Sequence, residues 1–276
     1  MKTTRIGVVA PSCPIDEDVA DRVVARARAL YGESAPEIRF HPQCFLTHGH
    51  FAGDDAARAD AFVAWANDPE IDAIWFARGG YGSCRIAEAA LPRLNDTARA
   101  KQWLGYSDAG TLLGALYGAG FDHVAHGPMP ADIRRAGGDA AIDRALSWLV
   151  ERSVGAIEPN AARERAVAFN MTILSNLIGT PFQPDLSDHV MMLEEVSEHH
   201  YRIDRTLFHI TSNPEIRRVA GIRIGRVSDV IENDRPFGYE VEEIVAHWCA
   251  VSGIPLLGTA DIGHDAENRV VPFGGV

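Results

Sequence analysis

The chain has 276 residues, 46% of them hydrophobic and 23% charged, enough for one large globular domain or two modest ones. A formal net charge of −12 leaves no domain-wide basic surface for nucleic acid or anionic lipid, and no apolar run nears the roughly 18 residues of a membrane helix. The apolar stretch at residues 6–10 is too short for a secretory segment, and Cys13, Cys44, Cys84 and Cys249 form no C-x-x-C pair, so a cytoplasmic protein with reduced thiols is expected.

Residues 5–10 read as a buried strand closed by Pro11. The acids at 16–18 then open a helix carrying Val19, Val23, Val24, Ala27 and Leu30 at helical spacing. A short strand follows at 38–41, and a helix at 54–67 begins with two acids at its positive end. Residues 71–76 and 102–106 are further strands, the latter leading into a helical stretch at 108–117, and residues 123–125 make a fifth. Residues 131–165 change character, with a Gly-Gly pair, a helix near 139–152 and a charged stretch containing Pro159. Beyond them, strands at 190–193, 219–227 and 254–257 alternate with helices near 201–210 and 239–251. Strands separated by helices pair in parallel through right-handed crossovers. The expected class is α/β: a flavodoxin/Rossmann-like parallel-sheet domain over 1–130, a linker over 131–165 and a smaller C-terminal α/β domain over 166–276.

In an open parallel sheet, chemistry gathers in loops at the carboxyl ends of strands. Two such loops stand out, one running from Ala77 through Gly79, Gly80 and Gly82 to Ser83, the other Gly105-Tyr106-Ser107-Asp108. The first lacks both the third glycine of a dinucleotide fingerprint, because Arg85 stands there, and the G-K-[ST] of a P-loop. Its glycines do let backbone N–H groups approach a ligand closely. Ser107 falls at a strand-to-helix turn, where a serine can act as a nucleophile, although Ala109 departs from G-x-S-x-G. The plainer alternative is that Ser107 and Asp108 merely cap a helix.

A serine nucleophile needs a base, and the base needs an orienting acceptor. Of the eleven histidines, His264 lies in a loop leaving a strand end, whereas His123-x-x-His126 reads as an exposed loop rather than a metal pair. Glu194 and Glu195 directly follow the apolar run 190–193 and so sit at a strand end. Ser107, Glu194 and His264 therefore form a candidate triad.

The run Ala77-Arg78-Gly79-Gly80-Tyr81-Gly82, the Gly105-Tyr106-Ser107-Asp108 turn, His126-Gly127-Pro128-Met129, Leu193-Glu194-Glu195 and Asp261-Ile262-Gly263-His264 occur here in that order. Together they resemble the serine LD-carboxypeptidases, or murein tetrapeptide carboxypeptidases, whose relatives include a microcin immunity peptidase. The resemblance implies a Ser-His-Glu hydrolase with its active site at the interface of the two domains. Ser107 would be the nucleophile, His264 the general base and acid, and Glu194 its orienting acid, with Glu195 the neighbouring alternative. Backbone N–H groups of Gly80 and Asp108 would bind the oxyanion. The implied reaction releases D-alanine from murein tetrapeptide in peptidoglycan recycling, without metal or cofactor.

A small anionic peptide approaching a chain of charge −12 needs a local cation, for which Arg78 is the candidate, with Gly79 and Tyr81 as further substrate contacts. The partners expected are that peptide and, at most, a second copy of the chain in a homodimer, with no nucleic acid and no membrane. One departure stands out: Ala168-Phe169-Asn170 occupies a place where the family carries Gly-Gly-Asn, and the bulk of Phe169 bears on the substrate range. The alternatives are an immunity-type peptidase acting on peptidyl or aminoacyl nucleotides, and a non-catalytic small-ligand binder.

Overall fold

Parallel pairing starts with the first strand, β1 (Arg5–Val9), which lies between β2 (Glu37–Phe40) and β3 (Ala73–Phe76). This is a computed structural model that describes residues 3–275. Between these strands run α1 (Glu17–Tyr31) and α2 (Asp55–Asn67). After β3 come α3 (Ser83–Ala90), the single turn α4 (Asp96–Arg99), β4 (Gln102–Gly105), α5 (Gly110–Gly118), β5 (Val124–His126) and α6 (Gly138–Glu151). The sheet orders as β2-β1-β3-β4-β5, all parallel, the doubly wound arrangement in which ligands lie beyond the strands' carboxyl ends.

Alternation along each strand explains why helices cover both faces. Ile6, Val8, Ala73 and Trp75 face α1 and α6, joining Val19, Val23, Ile142, Leu146 and Leu149 in one core. Val9, Ile74 and Phe76 face the other way, onto Phe62 of α2, Ile86 of α3 and Leu112 and Leu116 of α5. The segment read from sequence as a linker thus supplies α6, a covering layer for this sheet, as well as the crossing to the next.

The second sheet holds β6 (Ala166–Asn170), β7 (Val190–Val196), β8 (Gly221–Ser228) and β9 (Leu256–Thr259), again parallel and in that order. Its helices are α7 (Met171–Leu177), α8 (His200–Ser212) and α9 (Val241–Ser252). Leu174, Ile203, Leu207, Ile210, Ile244 and Val245 from these helices cover Val167, Phe169, Met191 and Leu193. The chain then returns to the first sheet as β10 (Val271–Pro272), antiparallel to β5. Just beyond it Phe273 N–H donates to Val124 at 2.9 Å and Gly274 N–H to Ala166 at 2.9 Å, so one segment bonds to both sheets. Among the described residues no helix is long and apolar enough to cross a membrane.

The α/β class and the strand-helix order match the reading from sequence. The strand expected at 254–257 lies two residues later, and α3, β6 and β10 had no clear signal. β6 is buried at all five positions and so shows no alternation, while β10 is two residues long and contains a proline, which only a sheet edge tolerates.

Candidate active site

Ser107 follows β4 and precedes α5, with φ at +57°, a conformation that costs a non-glycine residue on the order of 1–3 kcal/mol. Its neighbours impose the turn. The buried Asp108 carboxylate accepts from the Ser12 hydroxyl and from the Ser83 N–H, the latter at 2.9 Å, tying the turn to the loop after β1 and to the start of α3. The glycine loop after β3 packs directly on the serine. A Cβ at Gly79 would fall 2.7 Å from Ser107 Oγ, and Gly80, at φ +111°, has no room for one beside Cys13 Sγ. Buried Arg58 fastens this loop by donating to the carbonyls of Pro11 and Gly82.

Glu194 comes from β7, where pairing with β8 shifts register between Leu193 and Glu195. Strand alternation separates the two adjacent acids. Glu195 accepts from Asn170 Nδ2 at 2.5 Å and from the N–H and hydroxyl of Thr172 at 3.0 and 2.8 Å, which anchors the start of α7. Glu194 is fully buried and meets His264 instead.

His264 stands in the loop after β9, clamped by its neighbours. Arg226 pairs with Asp261 and Asp265, Arg269 pairs with Asp261, and Arg144 donates to the carbonyls of Ala266 and Asn268 at 2.9 and 2.8 Å. His264 Nδ1 lies 2.6 Å from Glu194 Oε2, and its Nε2 lies 3.0 Å from Ser107 Oγ. The tautomer that satisfies both carries its proton on Nδ1, so Nε2 can accept from the serine. Burial pulls the His264 pKa down most strongly, but the charge and hydrogen bond of Glu194 outweigh it, and the net shift is upward. Glu194 Oε1 has no hydrogen-bond partner among the described residues, so the imidazole is the one group its carboxylate engages there.

A cavity of about 470 Å³ opens over this cluster, lined by Ser107, His264, Gly79, Gly80, Tyr106, Asp132 and three arginines, Arg78, Arg134 and Arg135. Arg134 is held by Asp16, just before α1, and by Asp18 on its first turn, and Arg135 by Asp132 at 2.8 Å. Arg78 is exposed, and the one hydrogen bond its side chain makes among the described residues is a long one to the Pro14 carbonyl at 3.5 Å. Tyr81 lies outside this lining, half exposed beside Phe51 and His50. A larger cavity of about 800 Å³ lies along the ends of β8 and β9, but it holds neither Ser107 nor His264. Two of its charged groups are already spent, Arg226 on Asp261 and Asp265, and Glu158 on the N–H groups of Asn160 and Ala161.

Some residues stand elsewhere than sequence suggested. His126, read as an exposed loop histidine, is buried, bonded through Nε2 to Asn268 Oδ1 at 3.0 Å, and its pKa is driven down to about 4 by burial. Phe169 faces α5, with its ring 5.2 Å from that of Phe273, and does not line the Ser107 cavity. Asp132 and Arg135 fall in the stretch read from sequence as linker, where no site is expected. The signal available was the polar run Asp132-Ile133-Arg134-Arg135, just past the strand end at His126.

Sequence models of the LD-carboxypeptidase N-terminal and C-terminal domains match residues 6–127 and 165–276. A Synechocystis sp. protein that bears the name of a carboxypeptidase is 31% identical, covering 98% of this chain and 89% of its own length. The murein tetrapeptide carboxypeptidase of Pseudomonas aeruginosa is 24% identical over 98% of this chain and 91% of its own. In fold, the microcin C7 self-immunity protein MccF, solved in complex with aspartyl sulfamoyl adenosine, superposes with a TM-score of 0.80 at 17% identity, covering 99% of this chain and 92% of that one.

Proposed function

We propose that this chain, which belongs to the LD-carboxypeptidase family, is a serine peptidase that removes the terminal D-alanine from murein tetrapeptide. The observation that carries the reading is the hydrogen-bonded relay from Ser107 Oγ through His264 to Glu194, at 3.0 and 2.6 Å.

His264 Nε2 takes the proton as Ser107 Oγ attacks the carbonyl carbon of the L,D-peptide bond, and Glu194 stabilises the imidazolium that results. The carbonyl oxygen, now negative, turns toward the N–H groups of Gly80 and Asp108, which stand at the glycine loop and at the turn into α5. Collapse of this intermediate expels the D-alanine nitrogen, which receives the proton from His264. The acyl group stays on Ser107 until water, deprotonated by the same imidazole, releases it. No step requires a metal. Arg78, Gly79 and Tyr81 are assigned to the peptide, and the product belongs to peptidoglycan recycling in the cytoplasm.

Incubating the protein with murein tetrapeptide and following the mixture by mass spectrometry tests the reading. One D-alanine is released per tetrapeptide, release persists in a metal chelator, and Ser107→Ala abolishes it. Equal release by Ser107→Ala overturns the serine mechanism. Cleavage confined to aminoacyl-sulfamoyl nucleosides replaces the murein substrate with an immunity-type one, a reading favoured by the likeness in fold to MccF.

A further inference from the structure

Resting on the peptidase reading above, we infer that Arg135, and not Arg78, receives the carboxylate of the leaving D-amino acid, while Arg78 faces an acidic group on the acyl side. The argument starts from the covalent geometry of the substrate. The leaving nitrogen must lie at His264 Nε2, which protonates it. In a C-terminal residue the carboxyl carbon is two bonds from that nitrogen, about 2.5 Å away. The cation that reads it therefore has to stand on the imidazole side of Ser107, away from the oxyanion donors.

On that side lies Tyr106, whose ring centroid is 4.9 Å from that of His264. Its hydroxyl donates to Asp132 Oδ1 at 2.8 Å, the same oxygen that accepts from Arg135 Nε at 2.8 Å, and Arg135 Nη2 lies 3.4 Å from the Tyr106 oxygen. Asp132 is itself buried and fixed, since its second oxygen accepts from the Met129 N–H at 2.8 Å. The guanidinium is thus held by one edge against a rigid anchor. It has five N–H donors, and this anchorage uses few of them. The side chain is 40% exposed and lines the cavity, so donors are available to a second carboxylate. A guanidinium anchored along one edge loses little further freedom when it binds an anion.

Arg78 belongs to the glycine loop instead, and its side chain reaches toward the Pro14 carbonyl. It directly precedes Gly79, which abuts Ser107, and Gly80, whose N–H is assigned to the oxyanion. A cation there meets the part of the substrate that stays on the serine. Arg134, the third arginine, is already paired with two carboxylates. Of the two remaining cations, the one anchored beside Tyr106 and His264 makes the enzyme demand a free terminal carboxylate.

Binding to a Ser107→Ala protein tests this without relying on turnover. Calorimetry with murein tetrapeptide and with its C-terminal amide is expected to give roughly ten- to a hundredfold tighter binding of the acid, the range for a charge-assisted contact. Adding Arg135→Gln removes that preference by weakening the acid and leaving the amide nearly unchanged, and Arg135→Lys restores part of it. Adding Arg78→Gln weakens acid and amide alike and leaves the preference standing. Equal weakening of both ligands by Arg135→Gln, loss of the preference with Arg78→Gln, or no preference in the parent overturns the inference. If the preference behaves as expected while the unmodified enzyme releases no D-alanine, the proposed reaction fails and the assignment of Arg135 stands.

Discussion

Glu194 and Glu195 are chemically identical neighbours, and only the pleat of β7 gives them different work. One is buried against His264, the other holds Asn170 and Thr172. A sequence can mark the pair as sitting at a strand end, but which of two adjacent side chains faces the serine depends on where the sheet lies. The upward shift of His264 comes from Glu194 acting against burial, so its removal has a definite sign. Activity needs the neutral imidazole. With a raised pKa, the acid limb of kcat/KM falls at a pH above the ordinary histidine value of about 6.5. In Glu194→Gln the largest opposition to the burial penalty is gone, and the limb moves to lower pH while the plateau drops. Amidating the acid of a Ser-His-Asp triad costs about 10⁴ in kcat, and a loss of similar order is expected here. A pH–rate profile of both proteins checks this. An unmoved limb in Glu194→Gln would show that the carboxylate does not set the charge state of His264.

At the level of elements, alternating strands and helices were legible because their apolar residues keep the period of the structure, as the two faces of β1 and β3 illustrate. The contact between the two halves was not legible, since it depends on shapes that meet only after folding. α5 presents Gly110 and Gly114 to β6, and Phe169 fills the groove that they leave. A Cβ at Gly114 would fall 2.9 Å from Leu177 Cδ1 and 3.2 Å from Phe169 Cε1. This gives the departure at position 169 a structural meaning: its ring locks α5 against the second sheet. Phe169→Ala is expected to destabilise by about 3–5 kcal/mol through the void it opens, and Gly114→Ala by about 1–3 kcal/mol through overpacking. Because the added methyl would enter the space vacated by the ring, the double variant should cost at least about 0.5 kcal/mol less than the sum. Urea denaturation of the four proteins measures the cycle. KM for the peptide should change little in Phe169→Leu, because residue 169 is absent from the cavity lining. Strict additivity, or a large rise in KM, would return Phe169 to the role that sequence first suggested.

Across the whole molecule, Ser107 belongs to the first sheet while Glu194 and the His264 loop belong to the second, so the relay exists only while the two halves keep their register. What holds that register is a segment the sequence scarcely advertises. Val271 and Pro272 pair with His126 and Ala125, and Gly274 bonds to Ala166. Phe273 places its ring 5.5 Å from Tyr117 and 5.2 Å from Phe169, between the halves. Losing one buried phenylalanine costs about 3–5 kcal/mol, a large share of the roughly 5–15 kcal/mol that stabilises a typical native protein. Deleting residues 271–276 is therefore expected to do more than lower the melting temperature. The intact chain should unfold in one calorimetric transition, because β10 and α5 make the halves interdependent. The truncated chain should show two, the first accompanied by loss of peptidase activity while far-UV circular dichroism is largely retained. A single transition at an unchanged temperature, with activity intact, would mean that α5 and β6 hold the two sheets in register without the returning strand.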